Sequence, residues 1–176
     1  YGGATIRTLN NIMKQQLLFI ALICTVVCTT SCRRNVLKGE GNKTTASPQL
    51  SAFDAVSVAL EVNAVVNVQE GSVPSVKIDG YENLLKHIVA KVENGMLHIT
   101  HDLDETWTME SEDIKVTVTM PSITNLKLTG SGNAAVHGNI TGSSFFLDAS
   151  GASDITIDNI TADSFLVDAL GATDLE

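Results

Sequence analysis

Apolar and polar residues alternate along most of the chain from Phe53 onwards, with the period of a half-buried β-strand. The alternation is clearest in four segments, at residues 53–71, 72–80, 96–101 and 114–120. Pro121 ends the last of these, because proline has no backbone N–H to donate to a sheet. Residues 83–92 instead fit either a short turn of helix or a pair of strands. We therefore predict an all-β domain.

A repeat of about 20 residues occupies the end of the chain. Residues 139–156 and 159–176 are identical at ten of their 18 aligned positions, and Gly130 begins a partial earlier copy. A period of this length is typical of solenoids, in which each unit covers the core of its neighbour. Each unit has the order strand, small-residue corner, strand. We therefore predict a single-chain parallel β-helix (solenoid) over residues 53–176, with rungs of about 20 residues.

Stacking these units predicts which side chains face inward. Phe145 would stack on Phe165, and Leu147 on Val167, inside the β-helix. Aspartates on the alternate positions would keep the outer surface charged. The repeat ends at Glu176 without a closing unit, so we expect it to continue in a longer chain. The open last rung is a candidate surface for self-association.

The beginning of the chain has the layout of an export signal. Residues 13–31 run from a positively charged start through an apolar stretch to small residues, as in a signal peptide. The apolar stretch is shorter than the about 20 residues of a membrane-spanning helix. The ending on Cys32 resembles a bacterial lipoprotein signal, which predicts Cys32 as the lipidation site, although Thr29 departs from the usual leucine. Ordinary cleavage nearby, or a structural role for Cys32, is the alternative.

Two segments flank this signal. Residues 1–12 lack an initiator methionine and are interpreted as a mis-called start or an open-ended reading frame. Residues 33–50 are polar and rich in Gly, Ser, Thr and Pro, which predicts a flexible spacer after the lipidated cysteine. The formal net charge of −9 excludes nucleic acid as a partner, because phosphate binding requires a basic surface.

The order of these motifs resembles the auto-transporter adhesin, head-GIN-domain family of lipoproteins common in Bacteroidetes-type bacteria. The matching segments over residues 53–176 are FDAVSVALEVNAVVNVQEG, VKIDGYENLLKHI, NGMLHIT, IKVTVTMPSITNLKLTGSGN and the repeated S-G-A-S-D-I corner. The resemblance implies a right-handed β-helix and a role in adhesion. It implies no catalytic residue, cofactor or enzymatic activity.

The acidic segment 102–113 contains Trp107, the only tryptophan of the chain. A tryptophan among carboxylates, here Asp104 and Glu105, is suited to stacking on a sugar ring or anchoring a protein partner. These three residues are the candidate ligand contacts. The alternative is that Trp107 folds back as a lid over the core.

Asp148 and Asp168 would lie one rung apart, about 5 Å by strand spacing. That distance is compatible with a weak calcium site, or with the carboxylate pair of a glycosidase. A solvated outer face explains the same pattern, and no Lys or Arg follows Lys127 to assist a lyase. We therefore name no catalytic residue and no cofactor.

The sequence thus favours a non-catalytic, lipid-anchored protein of the outer membrane, on its periplasmic side or at the cell surface. Its acidic β-helix would bind a glycan or an envelope protein. The alternatives are a polysaccharide lyase or hydrolase, and a structural or assembly protein of the envelope.

Overall fold

The computed structural model describes residues 35–110 and 113–176. Eleven strands and one short helix follow in chain order: β1 (Asn35–Leu37), β2 (Lys43–Ala46), β3 (Ala55–Val58), β4 (Asn63–Val68), β5 (Ser75–Tyr81), α1 (Glu82–Leu85), β6 (Ile88–Glu93), β7 (Met96–His101), β8 (Trp107–Met109), β9 (Lys115–Met120), β10 (Asn125–Ser131) and β11 (Ala134–Leu175). The all-β class predicted from the alternation is confirmed. The ambiguous segment 83–92 contains both a helical turn and a strand.

The strands form two sheets. β1 and β8 make a small parallel pair, while the other nine strands form one curled sheet in the order β2-β5-β9-β4-β11-β10-β3-β7-β6. Strands in the middle of the larger sheet pair in parallel, as in Leu126↔Leu147 between β10 and β11. The pairs β2–β5, β5–β9 and β6–β7 are antiparallel. The larger sheet is therefore mixed.

The prediction of a right-handed parallel β-helix over residues 53–176 is wrong. A parallel solenoid has no place for the three antiparallel pairs, and nine of the described strands instead form a curled, half-barrel-like sheet. A tight turn explains one of these pairs. Asn94 and Gly95 have φ values of 51° and 79°, which is the geometry of a two-residue hairpin turn. This turn reverses the chain between β6 and β7, so the two strands run in opposite directions.

The core is built from rows of apolar residues that run across neighbouring strands. One row joins Leu97, Val56, Leu126 and Leu147 in register on β7, β3, β10 and β11, and all four side chains are fully buried. Their polar neighbours in the chain, such as Lys127, point to the opposite face, as the period of two requires. Burying each such side chain contributes about 1.5–3 kcal/mol.

The copies of the repeat approach one another closely. Gly130 and Gly151 are register partners in the parallel pair of β10 with β11. Gly151 has a φ of +133°, and a Cβ atom added there would overlap the carbonyl oxygen of Gly130. The repeated glycine is therefore required both by the backbone conformation and by the close backbone contact.

The second copy of the repeat is more exposed than expected. Phe165 stacks on Phe145 as predicted, but its side chain is 40% exposed, and that of Val167 is 46% exposed. Neither side chain lies inside the core.

The predicted spacer also differs in part from the structure. Asn35–Leu37 pairs with β8, and Lys43–Ala46 pairs with β5. Val36 and the two threonines of β2 are β-branched residues that favour strands, and Thr45 donates a hydrogen bond to the Asp79 carboxylate. These two segments are therefore strands of the folded domain, and the flexible-spacer prediction is wrong for them.

The signal at 13–31, the leading residues 1–12 and the predicted lipidation site Cys32 lie outside the described residues. Within the residues described, no helix is long and apolar enough to cross a membrane.

Candidate ligand-binding site

An open cleft of about 350 Å³ lies at the small β1–β8 sheet. Six residues line it: Leu37, His87, Asp102, Leu103, Asp104 and Trp107. They come from β1, from the link between α1 and β6, from the loop after β7, and from the start of β8. We call this feature the Trp107 cleft.

The pairing of β1 with β8 fixes the position of Trp107. Asn35 is the register partner of Trp107, and its backbone N–H donates to the carbonyl of Thr106 at 2.8 Å. At the other end of the pair, the N–H of Glu110 donates to the carbonyl of Leu37 at 2.9 Å. The side chain of Trp107 remains 40% exposed, so its ring is available to a ligand.

A tight turn places Asp104 beside this tryptophan. The N–H of Trp107 donates to the carbonyl of Asp104 at 3.1 Å, which closes a four-residue turn. The Oδ1 atom of Asp104 accepts hydrogen bonds from the hydroxyl and the backbone N–H of Thr106. These two bonds, the hydroxyl bond first, lower the pKa of Asp104 below its usual value. Asp104 therefore stays negatively charged across the neutral and mildly acidic range.

His87 and Asp102 also line the Trp107 cleft and contact each other. The Nδ1 atom of His87 lies 2.9 Å from Oδ1 of Asp102. The backbone N–H of Asp102 also donates to the carbonyl of His87 at 3.0 Å. Side chain and backbone thus join the α1–β6 link to the loop after β7.

The chemistry of the lining is that of a binding site. It combines an aromatic face and two leucine side chains with two carboxylates, and the six residues described there include no Lys, Arg, Ser or Cys. Among the described residues, no group of three or more His, Cys, Asp or Glu side chains is arranged to hold a metal ion.

Two of the three predicted ligand contacts meet in the Trp107 cleft. Trp107 and Asp104 both line it, whereas Glu105 is exposed in the same turn and is not among the lining residues. The remaining lining residues, His87, Asp102, Leu37 and Leu103, were not among the predicted ligand contacts. Asp102 belongs to the acidic segment that drew attention to Trp107, but Leu37 reaches the site only through the pairing of β1 with β8.

The two aspartates considered for calcium lie elsewhere, on β11. Asp148 is half-buried and forms an ion pair with Lys127, and Asp168 is exposed. The Lys127 ammonium therefore already pairs with one oxygen of the Asp148 carboxylate. Calcium binding by this pair stays a prediction, and the same contact disfavours Asp148 as a free carboxylate of a hydrolase.

The class of the protein follows from comparison with known families. Residues 52–176 match the family described as "Putative auto-transporter adhesin, head GIN domain". The match covers more than half of the chain, so the chain belongs to this family, and the resemblance seen in the sequence is confirmed. Membership in an adhesin family indicates an adhesion or binding role and a place in the cell envelope or at its surface. It also favours a non-enzymatic role.

Solved structures share the fold at low sequence identity. A "putative adhesin" from Bacteroides fragilis NCTC 9343 has a TM-score of 0.73 and 16% identity, covering 79% of this chain and 63% of that one. A "putative adhesin" from Parabacteroides distasonis ATCC 8503 has a TM-score of 0.58 and 14% identity, covering 81% and 68% of the two chains. A "Putative lipid binding protein" from the same strain has a TM-score of 0.56 and 19% identity, covering 79% and 70%.

These identities establish the fold alone. The present chain spans 63% of the length of the Bacteroides fragilis protein. Among curated proteins, none matches the sequence.

Proposed function

We propose that this protein is a non-catalytic, lipid-anchored adhesin of the outer membrane that binds its ligand through the Trp107 cleft. The family supports adhesion, and the cleft supplies the kind of surface that adhesion requires. Its exposed tryptophan offers a large, rigid contact area, which is typical of residues that dominate binding energy. The formal net charge of −9 gives the protein an acidic surface that attracts cationic partners.

The single observation that carries the proposal is the convergence of Trp107 with Asp102 and Asp104 in one open cleft. A tryptophan that acted only as a lid over the core would bury its ring. Trp107 is instead 40% exposed, and the backbone around it is held by the β1–β8 pair and the Asp104 turn. The aromatic face is therefore preorganised, which reduces the entropic cost of binding.

The anchor in this proposal is Cys32. Only Arg33 and Arg34 separate Cys32 from the first residue of β1 in the sequence. An acyl group on Cys32 would therefore lie two intervening residues of sequence before β1.

Binding is tested on an array that carries both glycans and proteins. We expect the wild-type protein to bind a subset of the array and Trp107→Ala to lose that binding. Val73→Ala is the matched control, because Val73 is 80% exposed and does not line the cleft. If Trp107→Ala bound the array as the wild-type protein does, the ligand would not bind at the Trp107 cleft.

Anchoring is tested separately by mass spectrometry of the protein extracted from bacterial membranes. We expect a diacylglyceryl group on Cys32, and loss of membrane partitioning in Cys32→Ala. Cys28→Ala serves as the control, because Cys28 lies within the apolar stretch of the predicted signal. Equal partitioning of wild type and Cys32→Ala would show that the anchor is elsewhere or absent.

A further inference from the structure

We infer that the Trp107 cleft recognises a lysine side chain of a partner protein. This inference rests on the proposed function, in which the same cleft holds the ligand, and it identifies the chemical group that is held. The sequence left the ligand open between a glycan and a protein, and the lining of the cleft distinguishes the two.

The charges of the lining favour a cation. Asp102 and Asp104 contribute two carboxylates, of which Asp102 is paired with His87, and the six described lining residues include no Lys or Arg. Glu105 and Glu110 are exposed nearby in the chain. A positively charged ligand therefore gains from both the lining and its surroundings.

The hydrogen-bonding groups point the same way. Oδ1 of Asp102 is engaged by His87, and Oδ1 of Asp104 by Thr106, whereas the Oδ2 atom of each carboxylate accepts no hydrogen bond from the described residues. The free groups are thus mainly acceptors. An ammonium group has three donors and no acceptor. A sugar hydroxyl both donates and accepts, and the lining offers it few donors.

The shape of the charge selects lysine over arginine. Oδ1 of Asp104 already accepts two hydrogen bonds and Oδ1 of Asp102 has one partner. Each carboxylate therefore offers one oxygen without a described partner, which suits a single donor better than the paired N–H groups of a guanidinium. A lysine ammonium is a compact point charge that needs single acceptors only. Leu37 and Leu103 provide apolar surface for the methylene stem of lysine, and the Trp107 ring provides a face for the cation.

The inference can be tested by fluorescence, because Trp107 is the only tryptophan of the chain. The wild-type protein is titrated with Nα-acetyl-lysine-N-methylamide, with its Nε-acetylated form, and with methyl β-glucoside. We expect only the first probe to change the Trp107 emission in a saturable way. Acetylation keeps the stem and removes the charge, so it separates recognition of the cation from packing of the stem.

Variants of the carboxylates locate the site. Asp104→Asn should weaken binding of the lysine probe by about 5-fold, and Asp102→Asn by a similar factor, as for partly exposed charge-assisted hydrogen bonds. Asparagine keeps an oxygen that can accept from Thr106 or His87, so the turn is expected to survive, and circular dichroism checks this. Asp154→Asn is the matched control, since Asp154 is exposed on β11 and does not line the cleft; its effect should stay below about 2-fold because of salt screening.

Several results would overturn the inference. Equal weakening by Asp154→Asn and Asp104→Asn would mean that the overall charge attracts the probe, without a site. A response to methyl β-glucoside but not to the lysine probe would leave the cleft as a ligand site and make the ligand a glycan. A cleft that responds to neither probe while Trp107→Ala still abolishes array binding would refute lysine recognition and keep the proposed function.

Discussion

Phe145 and Phe165 stack with their ring centroids 5.6 Å apart and their planes inclined by 12°. They occupy equivalent positions in the two copies of the repeat. Phe145 is fully buried, whereas Phe165 is 40% exposed. The same residue in the same motif therefore has two different environments, and the difference lies in what covers each ring.

This difference in burial predicts that replacing Phe145 or Phe165 with alanine lowers the free energy of unfolding by unequal amounts. Phe145→Ala should lower the free energy of unfolding by about 3–5 kcal/mol, the usual cost of removing a buried ring. Phe165→Ala should lower it by about 1 kcal/mol, close to the contribution of one aromatic pair. Urea denaturation of both variants measures the two values, and equal losses would contradict the burial described for the two rings.

An alanine at position 151 should clash with the neighbouring backbone, whereas an alanine at position 142 should not. Gly151→Ala places a methyl group against the Gly130 carbonyl oxygen, whereas Gly142, with a similar φ of +139°, has nothing within 4 Å of an added Cβ. Both substitutions incur conformational strain of about 1–3 kcal/mol, and Gly151→Ala adds about 1–3 kcal/mol of overpacking. Comparing the thermal unfolding of Gly151→Ala and Gly142→Ala isolates the effect of the contact with the Gly130 carbonyl. An equal loss of stability in both variants would show that β10 and β11 do not approach so closely.

The contacts of the Asp158 carboxylate lead us to expect that the stability of the protein depends on pH. The backbone N–H of Gly138 donates to it at 3.1 Å, and Nδ1 of His137 lies 3.2 Å away. These contacts lower the pKa of Asp158 from its usual 3.8. A lowered folded-state pKa gives stability that is present above the unfolded-state value and lost as the pH falls through the folded-state value.

We therefore expect Asp158→Asn to lower the melting temperature at neutral pH. The difference from wild type should shrink as the pH falls below 3.8. Asp154→Asn is the control, because Asp154 is exposed and its carboxylate accepts no hydrogen bond from the described residues. A difference between Asp158→Asn and wild type that stayed constant down to acidic pH would count against the carboxylate contacts.

Two adjacent residues of β1 test its part in the Trp107 cleft. Leu37 lines the cleft, whereas Val36 is 49% exposed and does not line it. Leu37→Ala removes part of the lining, so acrylamide should quench the Trp107 fluorescence more efficiently than in the wild-type protein. Val36→Ala should leave the quenching unchanged. If quenching did not increase in Leu37→Ala, β1 would not form part of the Trp107 cleft.

The sequence could predict those features of the fold that depend on residues close together in the chain. The period of two identified strands such as β7 and β9, because it follows from the alternation of side chains along a single strand. The repeat placed Phe145 beside Phe165, since equivalent residues of adjacent copies meet. The antiparallel pairing of β5 with β9 depends on contacts between distant segments, and the alternation is the same for either direction. The Asn94–Gly95 turn was the one local sign of a reversal.

The candidate site was predicted only where its residues were unusual. Trp107 drew attention as the single tryptophan within an acidic segment, and Asp104 lies in the same segment. Leu37 belongs to a stretch whose composition is typical of a spacer, and its pairing with β8 has no local signal. His87 has an ordinary sequence context, and only the fold brings it to Asp102.

The most direct test of ligand binding at the Trp107 cleft is a map of backbone amide chemical shifts during titration with Nα-acetyl-lysine-N-methylamide. We predict that the largest shifts occur at Leu37, at His87 and across residues 102–107. The largest shifts would instead occur at the outer aspartates of β11, such as Asp148, Asp154 and Asp168, if the acidic surface as a whole attracted the probe. That second result would contradict a specific site built around Trp107.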